Sequence, residues 1–184
     1  MAKLSFRIDT NEFIPYWEYA LKSLSTLPRI YGKPLPNDFP TNAVWSSFNR
    51  PKNGSGFITS TINTSQDLYL CSMQNHLSNL LKQYYPFLFF DKYKIKLCYT
   101  TDNIDLHIDE GATEAKINIG LFNTSSSSIN ARNINNLRLM EGDSYLLDTK
   151  TPHSVSTPLN SKIRGIITIP LDLDYNTLLD ILHD

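Results

Sequence analysis

From residue 93 onward, apolar and polar side chains alternate with a period of two, as expected of strands with one buried face. Tyr93–Tyr99, Ile104–Asp109 and Ala115–Phe122 (AKINIGLF) each predict a strand. Shorter ones follow at Leu137–Leu139 and Ser144–Leu147, and Ile163–Leu171 closes the series. A polar turn at Ser125–Ser128 and a tight turn at Glu141-Gly142-Asp143 punctuate them. No helical pattern intervenes, which excludes a parallel sheet built from strand–helix–strand units. Short strands separated by turns predict a jelly-roll or cupin-like double-stranded β-helix, mainly β with flanking helices.

The N-terminal half has a different period. Lys3–Asp9 predicts a first strand, and Thr10 is placed to cap a helix over Asn11–Leu24, with Glu12 near the positive end of its dipole. Phe13, Trp17, Ala20, Leu21 and Leu24 form its apolar face. Prolines 28, 34, 36 and 40 predict an irregular segment, Trp45–Phe48 a short strand, and residues 50–56 a loop. The clearest helix is Gln66–Tyr85, opened by Thr64 or Ser65, with Asp67 completing a capping box after Thr64. Leu70, Cys71, Leu77, Leu80, Leu81 and Tyr84 give it a core-facing stripe, which predicts packing against the outside of a sheet. A short helix, Tyr175–Leu182, ends the chain. The expected organisation is one domain over 1–184, with residues 1–92 supporting a double-stranded β-helix core at 93–172.

Composition adds boundaries. At 184 residues, 41% apolar and 19% charged, the chain suits one soluble globular domain with a sizeable core. A net charge of −1 supplies no global field for nucleic acid or anionic membrane. No apolar run reaches membrane-spanning length; Tyr84–Phe90, the most apolar, is short and broken by Pro86. Cys71 and Cys98 lack metal-binding spacing and read as buried thiols in a reducing cytoplasm, with a disulfide as the alternative.

Candidate chemistry concentrates in the second half. His107 and Asp109 are two apart, so in an extended strand both face the same side. His153 lies 46 residues further on and must come from a neighbouring strand. Two imidazoles and one carboxylate are the ligand set of a non-haem Fe(II) oxygenase, a face of three ligands with coordination positions left open. An H-x-D pair alone is a weak signal; a surface strand histidine, an Asp109-Glu110-Gly111 turn and a loop histidine at 153 account equally for the same letters. His76 reads as a helix histidine without a metal role.

The segments HIDEGATEAKINIGLFN, MEGDSYLLDTKTPHSV and RGIITIPLDLDYNTLL carry a more specific pattern. Together they resemble the aspartyl/asparaginyl β-hydroxylase-like branch of the Fe(II)/2-oxoglutarate oxygenases, over roughly residues 97–180. The resemblance implies His107, Asp109 and His153 as catalytic iron ligands. It implies Arg164, eleven residues past His153, as the cation receiving the distal carboxylate of 2-oxoglutarate, for which a planar guanidinium is well matched. Lys116 and Asn118 occupy a strand where the branch places polar groups near the co-substrate, although Arg and His are common there; an outward polar face is the alternative. Tyr99 is a further candidate cavity donor, against a core tyrosine. Asp148 and Thr149 either orient the His153 imidazole or simply form the turn before it.

The activity so implied is hydroxylation of an amino acid, free or within a peptide or protein, with Fe(II), 2-oxoglutarate and O2 and release of succinate and CO2. Residues 50–56 and the loop Asn123–Arg138 are expected to border the entrance, with Arg132 and Arg138 available for an acidic group or simply solvated. Three other readings stay open: a non-catalytic cupin-like metal- or ligand-binding protein, a cupin dioxygenase or isomerase that needs metal but not 2-oxoglutarate, and an oxygenase of this fold acting on nucleic acid. The absence of a basic stripe interleaved with aromatics argues against the last. Oligomeric state leaves no trace in the sequence.

Overall fold

The computed structural model describes residues 1–22, 45–49, 59–63, 68–100, 103–109, 113–131, 134–156 and 164–182. In chain order these form β1 (Ala2–Arg7), α1 (Thr10–Lys22), β2 (Trp45–Asn49), β3 (Thr59–Asn63), α2 (Leu68–Tyr84) and a 3-10 turn at Lys92–Lys94. Then come β4 (Lys96–Thr100), β5 (Ile104–His107), β6 (Ala115–Phe122), β7 (Ser128–Ala131) and β8 (Ile134–Arg138). Last are β9 (Asp143–Asp148), β10 (His153–Ser156), β11 (Arg164–Leu171) and α3 (Tyr175–Leu182).

Two sheets result, a seven-stranded one in the order β1-β9-β6-β11-β4-β3-β2 and a four-stranded one in the order β5-β10-β7-β8. The paired strands run antiparallel throughout. From β4 to β11 the chain passes back and forth between the two sheets, except that β7 and β8 are paired as a hairpin within the smaller one. That is the double-stranded β-helix, mainly β with helices on the outside of the larger sheet.

The alternation along β11 explains the layering. Ile167, Ile169 and Leu171 are buried with Ile117 and Ile119 of β6, Phe13 and Trp17 of α1, and Met73 and Leu77 of α2. Gly165 has no side chain because a Cβ there would run into the Trp17 indole and the Phe122 ring. The opposite face of β11 carries Arg164, Ile166 and Thr168 toward the smaller sheet, where Ile166 packs with Ile129, Val155 and Tyr145. A large apolar core thus lies outside the barrel and a small one inside, leaving interior positions for polar residues.

Several boundaries differ from the sequence expectation for local reasons. The cap of α1 is Asp9, whose Oδ1 accepts from the Asn11 N–H at 2.9 Å, and Thr10 is already helical. Strand β4 starts at Lys96 instead of Tyr93, because Asp91 accepts from the Tyr93 N–H and winds residues 92–94 into the 3-10 turn. Tyr84, expected on the buried stripe of α2, is exposed and edges onto Phe6 at 5.2 Å. Tyr85 turns inward in its place, its hydroxyl 3.1 Å from Ser5 Oγ and accepting from the Phe6 N–H. Residues 123–138 are not one loop but largely the β7–β8 hairpin. The expected cap at 64–67, the loop 50–56 and Arg132 lie outside the described residues. Cys71 and Cys98 are both free thiols. No helix among the described residues is long and apolar enough to cross a membrane.

Candidate metal centre

The smaller sheet brings the two histidines together. β5 and β10 are antiparallel neighbours with His107 directly opposite His153, and the ring centroids are 4.4 Å apart. β5 ends at His107, so Asp109 lies just beyond the strand. Its backbone is held there by an N–H bond to the Thr149 carbonyl at 3.1 Å. The carboxylate reaches back between the rings: Oδ1 is 3.5 Å from His107 Nε2 and Oδ2 is 3.7 Å from His153 Nε2. One donor atom from each residue lies within 4.8 Å of the others. His153 is buried, whereas His107 and Asp109 are partly open to solvent.

The tautomer of His153 follows from its partner. Nδ1 lies 2.9 Å from the Thr151 carbonyl, which can only accept, so Nδ1 carries the hydrogen and Nε2 presents a lone pair toward Asp109. Burial pushes the His153 imidazole below its ordinary value, which keeps that lone pair free at neutral pH. For Asp109 burial alone would raise the carboxyl. The hydrogen bond from His107, the charge and hydrogen bond of Lys116 and the charge of His153 outweigh it and hold the group well below the usual carboxylate range. Two imidazoles and one carboxylate brought this close together are a donor set that would fit a divalent transition metal.

The remaining candidates fall on the facing wall. Lys116 and Asn118 share the interior face of β6, and Lys116 Nζ sits 2.5 Å from Asp109 Oδ2. Asn118 is buried opposite Thr168 of β11, whose hydroxyl donates to Asn118 Oδ1 at 2.9 Å. Neither side chain belongs to an outward polar face. Arg164 opens β11 on the same interior face as Thr168, and burial pushes its guanidinium down to about 10, still charged at neutral pH. Tyr99 pairs through its backbone with Gly165, and its side chain lies outside the described residues.

Two backbone groups carried no signal in the sequence, and a third contributor, Lys116, expected near the co-substrate, contacts Asp109 instead. The Thr151 carbonyl orients His153, the Thr149 carbonyl fixes Asp109, and Lys116 reaches Asp109 across the barrel. The first two are backbone groups, invisible to any reading of side chains. Asp148 ends β9 and sets the following turn by accepting from the Lys150 N–H. His76 is structural: its Nε2 is 2.7 Å from Glu12 Oε2 and its ring lies against Phe13. Arg138 is exposed on β8.

No family model matches the sequence, and no curated protein is similar to it. Among solved structures the chain is similar to a Pseudomonas putida prolyl-4-hydroxylase, with a TM-score of 0.42 and 13% identity over 68% of this chain and 78% of that one. It is also similar to vicilin from Corylus avellana (hazelnut), with a TM-score of 0.38 and 9% identity over 79% of this chain and 36% of that one. At those values neither likeness assigns an activity.

Proposed function

We propose that the chain is an Fe(II)/2-oxoglutarate-dependent oxygenase that hydroxylates an amino acid, free or within a peptide or protein. In this reading residues 1–184 act as one oxygenase domain, with 1–92 supporting the barrel at 93–172. The observation that carries it is the convergence of His107, Asp109 and His153 in a barrel whose opposite interior wall holds the buried Arg164.

Each residue then has a task derived from its position. His107 and His153 would offer Nε2 and Asp109 a carboxylate oxygen to iron, with the Thr151 and Thr149 carbonyls fixing His153 and Asp109. Bound iron would supply the redox chemistry that couples oxidative decarboxylation of 2-oxoglutarate by O2 to hydroxylation of a C–H bond, giving succinate, CO2 and an alcohol. Arg164 would receive the far carboxylate, since it is buried on the interior wall and its planar fork suits a carboxylate. The Asn118–Thr168 pair lies between the two ends and would line the path of the co-substrate. His107 and Asp109, partly exposed, would lie on the side from which substrate enters.

The test is turnover. Fe(II)-loaded protein supplied with 2-oxoglutarate, O2 and a panel of amino acids and peptides should form succinate, and Asp109→Ala should form none. Tight metal binding with no succinate under any substrate would leave a cupin-like binding protein and refute the oxygenase reading.

A further inference from the structure

Among the residues around the candidate metal site, Lys116 makes the tightest contact with a ligand and has no assigned task. Its ammonium lies 2.5 Å from Asp109 Oδ2, while Oδ1 is the oxygen nearer His107 Nε2, at 3.5 Å. Resting on the metal-site reading above, we infer that Lys116 is a positioning residue for Asp109. It holds Oδ2, the oxygen 3.7 Å from His153 Nε2, and leaves Oδ1 on the His107 side, so that the carboxylate would offer a metal one oxygen only.

The backbone holds both partners of this pair. Lys116 is the second residue of β6 and is paired on both sides, with Leu147 of β9 and Pro170 of β11, so its stem leaves the sheet at a fixed point. Thr149 ties the lead-in of β6 to Asp109. Its N–H donates to the Glu114 carbonyl at 3.3 Å and its hydroxyl to the Thr113 carbonyl at 2.6 Å, while its own carbonyl accepts from the Asp109 N–H. The two side chains are only 20% and 27% exposed, unlike a solvated surface pair whose geometry is loose.

Lys116 is poorly placed for the other task a cation could have. Its partner Pro170 is six residues along β11 from Arg164, or about 20 Å of strand. Lys116 and Arg164 therefore leave the interior wall at separate points of the barrel. A reason for such a device is plain from coordination counting. A carboxylate that chelated through both oxygens would use a second position on the ion and compete with a two-point co-substrate and O2. Holding Oδ2 with an ammonium keeps that position available.

The measurement is anaerobic calorimetry of Co(II) alone, without 2-oxoglutarate, on wild type, K116M, K116Q and K116R. A lost carboxylate-orienting partner should weaken Co(II) binding of K116M by about 10–100-fold. K116R, which keeps a charged donor, should stay within roughly threefold of wild type, and K116Q should fall between them. K116Q and K116R carry the comparison should K116M fail to fold. Co(II) affinity unchanged or tighter in both K116M and K116Q would overturn the inference, even if 2-oxoglutarate affinity fell, because Lys116 would then be a competitor of the metal or a co-substrate contact. Wild type that binds no Co(II) would remove the metal-site reading itself, and the inference with it.

Discussion

At His153 one ring nitrogen is committed and the other available: Nδ1–H is spent on the Thr151 carbonyl, and Nε2 faces the carboxylate of Asp109. His76 shows the contrasting case, an exposed helix histidine paired with Glu12. A ligand that binds only the folded state stabilises it by about 2.7 kcal/mol at a hundredfold excess over its dissociation constant. For a chain of this length that corresponds to a rise in Tm of roughly 5–10 °C. Excess Co(II) should therefore raise the Tm of wild type and of His76→Ala, but not of His153→Ala, in a thermal-unfolding series with and without chelator. An equal rise in His153→Ala would exclude His153 from the site. The grouping of His107, Asp109 and His153 was legible only from the segments around all three positions, since the H-x-D pair alone is a weak signal. Lys116 was legible only as a polar residue on the right strand; its contact with Asp109 depends on a register between β6 and the end of β5 that no local pattern encodes.

The turn between β8 and β9 illustrates the element scale. Gly142 has a φ of +82°, and a Cβ there would lie 2.7 Å from the Ile8 carbonyl oxygen, which accepts nothing from Gly142 but sits against it. The turn also receives the Ile8 N–H at the Gly142 carbonyl and sends the Gly142 N–H to Gly120, so it joins β1, β6 and β9 at one point. Gly142→Ala should cost about 1–3 kcal/mol by chemical denaturation, from backbone strain and the close approach together. Wild-type stability in this variant would show that the turn relaxes freely. That turn was readable because glycine beside two acids is a strong local signal. The β7–β8 hairpin was not, since in SINARNINNLR the alternation through Ile129 and Ala131 breaks off and apolar residues return only at Ile134 and Leu137. Its irregular geometry, with Asn136 at a φ of +59° and its N–H on Asn130 Oδ1, suits asparagine instead of any strand pattern. The cap of α1 was misplaced by one residue for a related reason: Asp9 and Thr10 are both capable caps, and only the fold selects between them.

For the whole molecule, period-two alternation and the lack of intervening helices sufficed for the double-stranded β-helix. They did not reveal that β1 pairs with β9, nor that β2 and β3 extend the larger sheet beyond β4. Those contacts join strands far apart in sequence, and nothing in the composition of β3, a run of Thr, Ser, Ile and Asn, distinguishes it from a loop. The same topology sets the central claim, because it puts the His107–Asp109–His153 cluster on one side of the interior and Arg164 on the facing wall. The most direct measurement is anaerobic titration of the Fe(II)-loaded protein with 2-oxoglutarate, followed by visible absorption, with Arg164→Ala alongside. The account predicts a metal-to-ligand charge-transfer band in wild type that needs a markedly higher 2-oxoglutarate concentration in Arg164→Ala. Iron bound with no band at any concentration would contradict it.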